Sequence, residues 1–143
     1  AIAGAEGHVI DERELTRGGV SYTYDTIVDL KEEFPDAELY LIIGSDSLAT
    51  MQDWHRPQEL LDLALPAVVR RGGEAEPNFS ILDSLVSPER QDACRQSVIS
   101  MPVIELSSSE LRSRIAAGRS IRFRTPRGVE AYIRAEKLYA DGA

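Results

Sequence analysis

A serine run at residues 107–109 carries the sharpest chemical signal in the sequence. It follows an apolar segment and precedes a helical pattern, and Arg112 comes about one turn later. A strand-to-helix junction offers free backbone N–H groups and the positive end of the helix dipole, which attract anions. Hydroxyls from Ser107 and Ser109 add donors, and the arginine adds a planar fork that fits phosphate oxygens. The run predicts a polyphosphate site, although Ser107 with Glu110 equally fits a capping box without a ligand.

A second polar group follows the most apolar segment of the chain. Gly44 and Asp46 come directly after residues 39–43, which are apolar throughout. Glycine lets a ligand approach the backbone closely, and an aspartate at this place can accept hydrogen bonds from ribose hydroxyls. The alternative is that Asp46 or Ser47 only caps the helix that follows.

Aromatic and hydroxyl side chains supply a third candidate group. Trp54 is the only tryptophan of the chain. Its electron-rich face favours a cationic ring, such as a pyridinium, by about 1 kcal/mol or more, although a lone tryptophan in an amphipathic helix is also typical of a core. Tyr22 and Thr23 begin a helical pattern, and their hydroxyls and free N–H groups either cap that helix or bind a carboxylate.

Strands that alternate with helices must position these groups. The periodicity predicts strands at 9–15 (an edge strand), 39–43, 66–69 and 103–106, and helices from Ser21 to Pro35, over 53–63, near 80–86 and 88–96, from Ser107 or Ser108 to Gly118, and from an N-cap at Thr125 to about Tyr139. This alternation indicates an α/β fold, a mostly parallel sheet with helices on both faces.

Parallel sheets bind ligands at the carboxyl ends of their strands. Because residues 39–43 are apolar on both faces, they suit a central strand covered by helices on each side. Arg70 and Arg71 follow the next strand and are expected near phosphates. The segments at Gly44, at the two arginines and at Ser107 are therefore predicted to converge on one crevice.

Length and composition limit the class of protein. A chain of 143 residues fits one domain, and its net charge of −8 argues against nucleic acid or an anionic membrane as partner. No apolar run approaches the ~18 residues of a membrane span, and the first residues lack the regions of a signal peptide. With one cysteine and two histidines, neither an internal disulfide nor zinc-ligand spacing is present. A cytoplasmic location is expected, and a homo-oligomer is compatible with the sequence.

The charge is unevenly distributed along the chain. Residues 106–135 hold seven arginines against two acids, a local charge of +5, so the remainder carries −13. Such a segment either receives a small polyanion, such as a nucleotide, or forms a solvated helix face.

Several motifs are absent. The sequence contains no Gly-x-x-x-x-Gly-Lys-Ser/Thr loop and no Gly-x-Gly-x-x-Gly, so P-loop hydrolysis and dinucleotide-dependent hydride transfer are unsupported. No Ser/His/Asp arrangement is apparent. His8 and His55 have no obvious partners and are expected at the surface.

Five ordered segments resemble bacterial nicotinate-nucleotide adenylyltransferases. They are Ser21–Ile27, Ile43–Leu48, Trp54, Val69–Gly72 and Leu106–Arg112, followed by a similar ending from Gly118 to Ile133. The resemblance covers nearly the whole chain and implies a Rossmann-like nucleotidyltransferase fold. It also implies adenylyl transfer from ATP to nicotinate mononucleotide, giving deamido-NAD and pyrophosphate, with Mg²⁺ bound together with ATP.

The resemblance assigns residues as well. The family's Ile-Ser-x-Thr-x-Ile-Arg motif occurs here with leucine for both isoleucines and serine for threonine, which keeps the hydroxyls and the arginine. The implied ATP contacts are Gly44, Asp46, Ser107, Ser109, Leu111 and Arg112, and the implied nicotinate mononucleotide contacts are Tyr22, Thr23 and Trp54. No residue of the chain is assigned to a metal.

One part of the family pattern is missing. The family begins with a strand, a Gly-Gly-Thr-Phe-Asp-Pro loop and a His-x-Gly-His motif at the head of the first helix, and none occurs here. No catalytic residue is therefore assigned. Residues 1–143 are expected to be the C-terminal two thirds or so of a single nucleotidyltransferase domain, with residues 1–3 ending a helix. A missing central strand would leave its neighbours with unpaired edges.

Two other classes of function stay open. The chain could belong to another adenylyltransferase of the same superfamily, acting on pantetheine phosphate or nicotinamide mononucleotide. It could also be a non-catalytic Rossmann-like module that binds a nucleotide or a partner.

Overall fold

The computed structural model describes residue 2 and residues 5–140. The predicted helix end at residues 1–3 falls largely outside the described residues. The chain divides into two compact units: a sheet unit, Asp11–Val103, and a helical unit made of residues 5–10 and 104–140. That residues 1–143 form one domain stays a prediction.

Three parallel strands form the sheet of the sheet unit, in the order β1 (Leu39–Gly44), β2 (Ala64–Arg70) and β3 (Ile99–Ser100). β1 and β2 pair along their whole length, and their last paired residues are Gly44 and Val69. Helices connect the strands, as parallel pairing requires. The predicted parallel α/β sheet is confirmed.

The helices of this unit are short. They are α1 (Arg13–Arg17), α2 (Thr23–Glu33), α3 (Ser45–Ala49), α4 (Pro57–Leu63) and α5 (Pro88–Gln96), with 3₁₀ turns at Met51–Asp53 and Phe79–Leu82. Helix α4 begins four residues later than the predicted 53, because Arg56 is left-handed (φ 52°, ψ 56°) and Pro57 takes the first helical position. No helix within the described residues is long and apolar enough to cross a membrane.

The core of the sheet unit lies around β2. Five consecutive residues of this strand, 64–68, are buried, as expected of a strand covered on both faces. Leu48, Leu60, Leu61 and Leu82 are at most 1 % exposed and belong to the same cluster. β1 instead lies at one edge of the sheet, and its alternate residues Tyr40 and Ile42 are exposed. Residues 39–43 were expected to form the central strand. Among the described residues they form an edge strand, and β2 is the central strand.

The edge strand predicted at 9–15 is wrong. Arg13–Arg17 form α1, and Leu15 is exposed. Acidic residues separate the apolar ones here, and ion pairs rather than strand pairing hold the segment: Arg13 contacts Glu33 at 2.8 Å, and Arg17 contacts Asp29 at 2.5 Å.

The third strand is also misplaced by the sequence pattern. It spans Ile99–Ser100 rather than 103–106. The chain at Gly72 and Val103 comes so close that a Cβ on the glycine would lie 2.7 Å from the valine backbone nitrogen. The pairing of β2 with β3 ends at Arg70 and Ser100, so residues 103–106 lie outside the ladder.

The helical unit contains two α-helices among its described residues: α6 (Ser108–Ala116) and α7 (Arg127–Ala135). Both were predicted, but α7 ends before Tyr139. Pro126 rather than Thr125 occupies its N-cap position, and the Thr125 hydroxyl is buried without a partner among the described residues.

We expect Leu61→Ala to lower the free energy of unfolding by about 2–5 kcal/mol, because it leaves a cavity at a fully buried site. Leu15→Ala removes the same atoms from an exposed side chain and should change the free energy of unfolding by less than about 0.5 kcal/mol. Urea titrations of both variants measure the difference. Similar losses in both would contradict the assignment of the core.

Candidate active site

A cavity of about 290 Å³ lies where β1 and β2 end. Its lining includes Asp46, which follows β1, and Arg71, which follows β2. The β1–β2 register places Gly44 beside Val69, so the two loops leave the sheet side by side. Two of the three segments expected to converge are thus brought together. The third, the serine run, belongs to the helical unit.

Asp46 is folded back over Gly44. A Cβ placed on Gly44 would lie 2.5 Å from Asp46 Oδ1, so only a glycine leaves room for the carboxylate in this position. Gly44 itself is the N-cap of α3, and no side chain caps that helix. The interpretation of Asp46 or Ser47 as a cap is therefore wrong. The carboxylate is exposed and can accept hydrogen bonds from a ligand.

Ser45, between these two residues, was not singled out from the sequence. It lines the cavity, and its Oγ is buried with no hydrogen-bond partner within the described part of the chain. A buried hydroxyl without a partner is costly, so a bound polar group would stabilise it. Its place between Gly44 and Asp46 is the signal that could have identified it.

The two arginines after β2 already have carboxylate partners. Arg70 pairs with Glu76 and donates to Ser100 Oγ at 3.2 Å. Arg71 is exposed and lies 3.9 Å from Glu74. Glu74 and Glu76 also line the cavity. An incoming phosphate must therefore compete with these glutamates for the arginines.

The segment that carries Trp54 lies against the first turn of α2, which carries Tyr22 and Thr23. Tyr22 is the N-cap of α2, and no side chain caps this helix. Trp54 is half-buried and packs against the core cluster. Trp54 therefore belongs partly to the core, as the alternative interpretation expected, and part of its surface stays accessible to solvent.

His55 contributes a contact that the sequence did not suggest. It is exposed, as expected, but its ring stacks on Tyr22 with a centroid distance of 4.1 Å and an interplanar angle of 26°. The same ring meets Tyr24 edge-on at 6.3 Å. The sequence did not indicate this aromatic contact, although the place of His55 beside Trp54 was an available signal that it belongs to the candidate site.

Arg56 completes this contact between the two segments. Its guanidinium lies 4.2 Å from the centre of the Tyr24 ring, and its Nε lies 3.1 Å from Glu59 Oε1. The pKa of Glu59 is lowered, first by a hydrogen bond from its own backbone N–H and then by Arg56. The hydrogen bond to Glu59 in turn raises the pKa of Arg56, so both stay charged at neutral pH.

In the helical unit, the serine run caps α6. Ser107 Oγ accepts a hydrogen bond from the backbone N–H of Glu110 at 3.1 Å, which leaves its own proton free to donate. Glu110 does not reach back to complete a capping box but pairs with Arg124 at 2.8 Å. Arg112 Nη2 donates to Ser109 Oγ at 3.3 Å.

Ser109 and Arg112 also line a cavity of about 600 Å³ beside α6, together with Ser113 and Tyr139. Leu111 is half-buried and exposed residues flank it in the helix. Tyr139 was not predicted as a site residue, and its position beyond α7 gave no local signal. The cavity combines hydroxyls, a guanidinium and an aromatic ring, which are groups that nucleotides contact.

The described residues offer no ready metal centre. No group of three or more histidine, cysteine, aspartate or glutamate side chains among them is placed to hold an ion.

We expect Gly44→Ala to weaken binding of ATP, the ligand implied by the resemblance, by about tenfold. The backbone (φ −80°) accepts alanine, but the new Cβ displaces the Asp46 carboxylate and its hydrogen bonds to the ligand. Gly128→Ala, which meets nothing within 4 Å, is the matched control. Isothermal titration of ATP into the complete protein compares the variants, and unchanged affinity in Gly44→Ala would contradict the role of Asp46.

Comparisons with known proteins identify the family of the chain. No family model matches the chain. A probable nicotinate-nucleotide adenylyltransferase of Rhodopirellula baltica is 50 % identical over 139 residues, which is 97 % of this chain and 65 % of that protein. One of Herpetosiphon aurantiacus is 41 % identical over 139 residues, 97 % of this chain and 68 % of that protein. The chain thus spans about two thirds of the length of these curated relatives.

Solved structures support the fold. A nicotinic acid mononucleotide adenylyltransferase of Plasmodium falciparum complexed with APC matches with a TM-score of 0.56, 20 % identity, 85 % of this chain and 60 % of that chain. The same enzyme complexed with NaAD matches with a TM-score of 0.54 and 20 % identity, over 84 % of this chain and 58 % of that chain. The predicted Rossmann-like nucleotidyltransferase fold is confirmed. With relatives about 40–50 % identical along nearly its whole length, the chain belongs to the nicotinate-nucleotide adenylyltransferase family.

Proposed function

We propose that the complete protein transfers the adenylyl group of ATP to nicotinate mononucleotide, releasing pyrophosphate and forming deamido-NAD. The identity of 50 % over 97 % of the chain with a probable nicotinate-nucleotide adenylyltransferase carries this proposal. The cavity shared by Asp46 and Arg71 at the strand ends supports it, because ligands of open parallel sheets bind there. A nucleotidyltransferase of this kind fits a cytoplasmic location.

The residues of this chain act by binding and orienting. Asp46 accepts hydrogen bonds from the ribose of ATP. In the same unit, Gly44 leaves room for the Asp46 carboxylate. In the helical unit, Ser107, Ser109 and Arg112 are proposed to donate to phosphate oxygens of a nucleotide, and Leu111 belongs to the same segment. Binding shared by ground and transition states does not raise kcat. Groups that stabilise the charge developing on the transferred phosphate are therefore expected from the family's His-x-Gly-His segment, which this sequence lacks.

In this proposal ATP would bind together with Mg²⁺. The ion would supply neutralisation of charge on the phosphates. Because the described residues supply no ligand cluster of their own, their part is to bind the nucleotide that carries the ion.

The acceptor binds at the first turn of α2 in this proposal. Trp54 stacks on the pyridinium ring, and the backbone N–H groups at Thr23 donate to the carboxylate that distinguishes nicotinate from nicotinamide. The uncapped start of α2 supports this role, since its first N–H groups have no side-chain acceptor. A site that hydrogen-bonds a carboxylate rejects an acceptor without one.

An acceptor assay tests the proposal. The complete protein is given ATP and Mg²⁺ with nicotinate mononucleotide, nicotinamide mononucleotide or pantetheine phosphate, and pyrophosphate release is measured. Preference for nicotinate mononucleotide is the expected result. Preference for another acceptor would indicate a different adenylyltransferase, and ATP binding without turnover on any acceptor would indicate a non-catalytic module.

In the complete protein, Trp54→Ala should raise KM for nicotinate mononucleotide about tenfold or more and KM for ATP by less than about twofold, because a stacked pyridinium is lost. Trp54→Phe keeps an aromatic face and should recover much of the loss. Steady-state kinetics with each substrate varied in turn measure the effect. Equal rises in both KM values would assign Trp54 to the core alone.

The 143 residues by themselves should show little or no adenylyl transfer. Loss of even one preorganised donor typically costs ~10²–10³ in rate, and the sequence contains neither the histidine motif nor the glycine-rich loop. Pyrophosphate release with ATP, nicotinate mononucleotide and Mg²⁺ measures this. Turnover at ~1 s⁻¹ or faster would overturn the prediction and would mean that these motifs are dispensable or that His8 or His55 replaces them.

A further inference from the structure

The contact between His55 and Tyr22 stands out within the sheet unit. The two rings stack at 4.1 Å although 41 % of Tyr22 is exposed and His55 is exposed as well. Burial of apolar surface therefore accounts for little of this arrangement. The stack instead fixes the direction in which the Tyr22 ring leaves the N-cap of α2.

The backbone around His55 is arranged to present this ring. Arg56 adopts the left-handed conformation, which is unfavourable for a residue with a Cβ. Its side chain is held by Glu59 at 3.1 Å and lies over Tyr24. On the other side, Trp54 packs against the core. Both neighbours of His55 are thus anchored, and the imidazole is left to contact the aromatic side chains of α2.

We infer that His55 is a positioning residue for the acceptor: by stacking on Tyr22 it holds that ring beside the first turn of α2, where the pyridine nucleotide binds. The inference rests on the proposed function. His55 acts through Tyr22 and does not contact the reacting phosphate. Its removal should therefore affect the affinity for the acceptor and leave the chemical step and ATP binding nearly unchanged.

Three variants of the complete protein test this. His55→Ala removes the stack and should raise KM for nicotinate mononucleotide about three- to tenfold, the scale of one aromatic pair. Its kcat and its KM for ATP should stay within about twofold. His55→Phe retains a ring that can stack and should restore KM to within about twofold of wild type. His8→Ala, at the other histidine, which is exposed and whose ring hydrogen-bonds with the Glu6 carbonyl, is the control.

The outcomes separate this inference from the proposed function. Wild-type turnover with an unchanged acceptor KM in His55→Ala would overturn the inference alone. A KM in His55→Phe as poor as in His55→Ala would overturn it too, since stacking would not be the cause. Equal rises in both substrates' KM values would indicate a general structural role and reject it. A wild-type protein without turnover on nicotinate mononucleotide would overturn the proposed function, and the inference with it.

Discussion

The parallel pairing of β1 with β2 is the constraint on which the rest of the sheet unit depends. Its register sets Gly44 beside Val69, so the loops that follow both strands start at the same edge. Asp46 and Arg71 are neighbours in one cavity for that reason, although they are far apart in sequence. The pairing is itself held by burial, because residues 64–68 of β2 lie inside the core that α2, α3 and α4 cover.

The sequence pattern located those elements whose signal is local. The apolar segments at β1 and β2, the helix ended by Pro35 and the serine-capped α6 all follow from periodicity and capping residues. The strand predicted at 9–15 failed because residues 13–17 form α1, in which Arg13 and Arg17 pair with acids on α2. β3 failed in position, since it is only two residues long and pairs with Val69 and Arg70 of β2.

The residues of the candidate site likewise fall into those that the sequence indicated and those that it did not. Gly44, Asp46 and Ser107 were identified because turn and cap chemistry depends on adjacent residues. His55 was missed because its contact, Tyr22, lies 33 residues earlier, and the position of His55 beside Trp54 indicates nothing about that contact. Ser45 was missed for a different reason. A serine in a short helix is common, and only the enclosed position of its hydroxyl makes it unusual.

The arginines show how an acidic chain can accept an anion selectively. Arg71 faces Glu74 and Arg70 faces Glu76, so neither presents an uncompensated charge to solvent. A ligand with a single weak charge gains little by displacing a carboxylate that is already tethered nearby. A polyphosphate brings several oxygens and more charge. We therefore expect the paired arginines at the sheet edge to favour a polyphosphate over a simple anion.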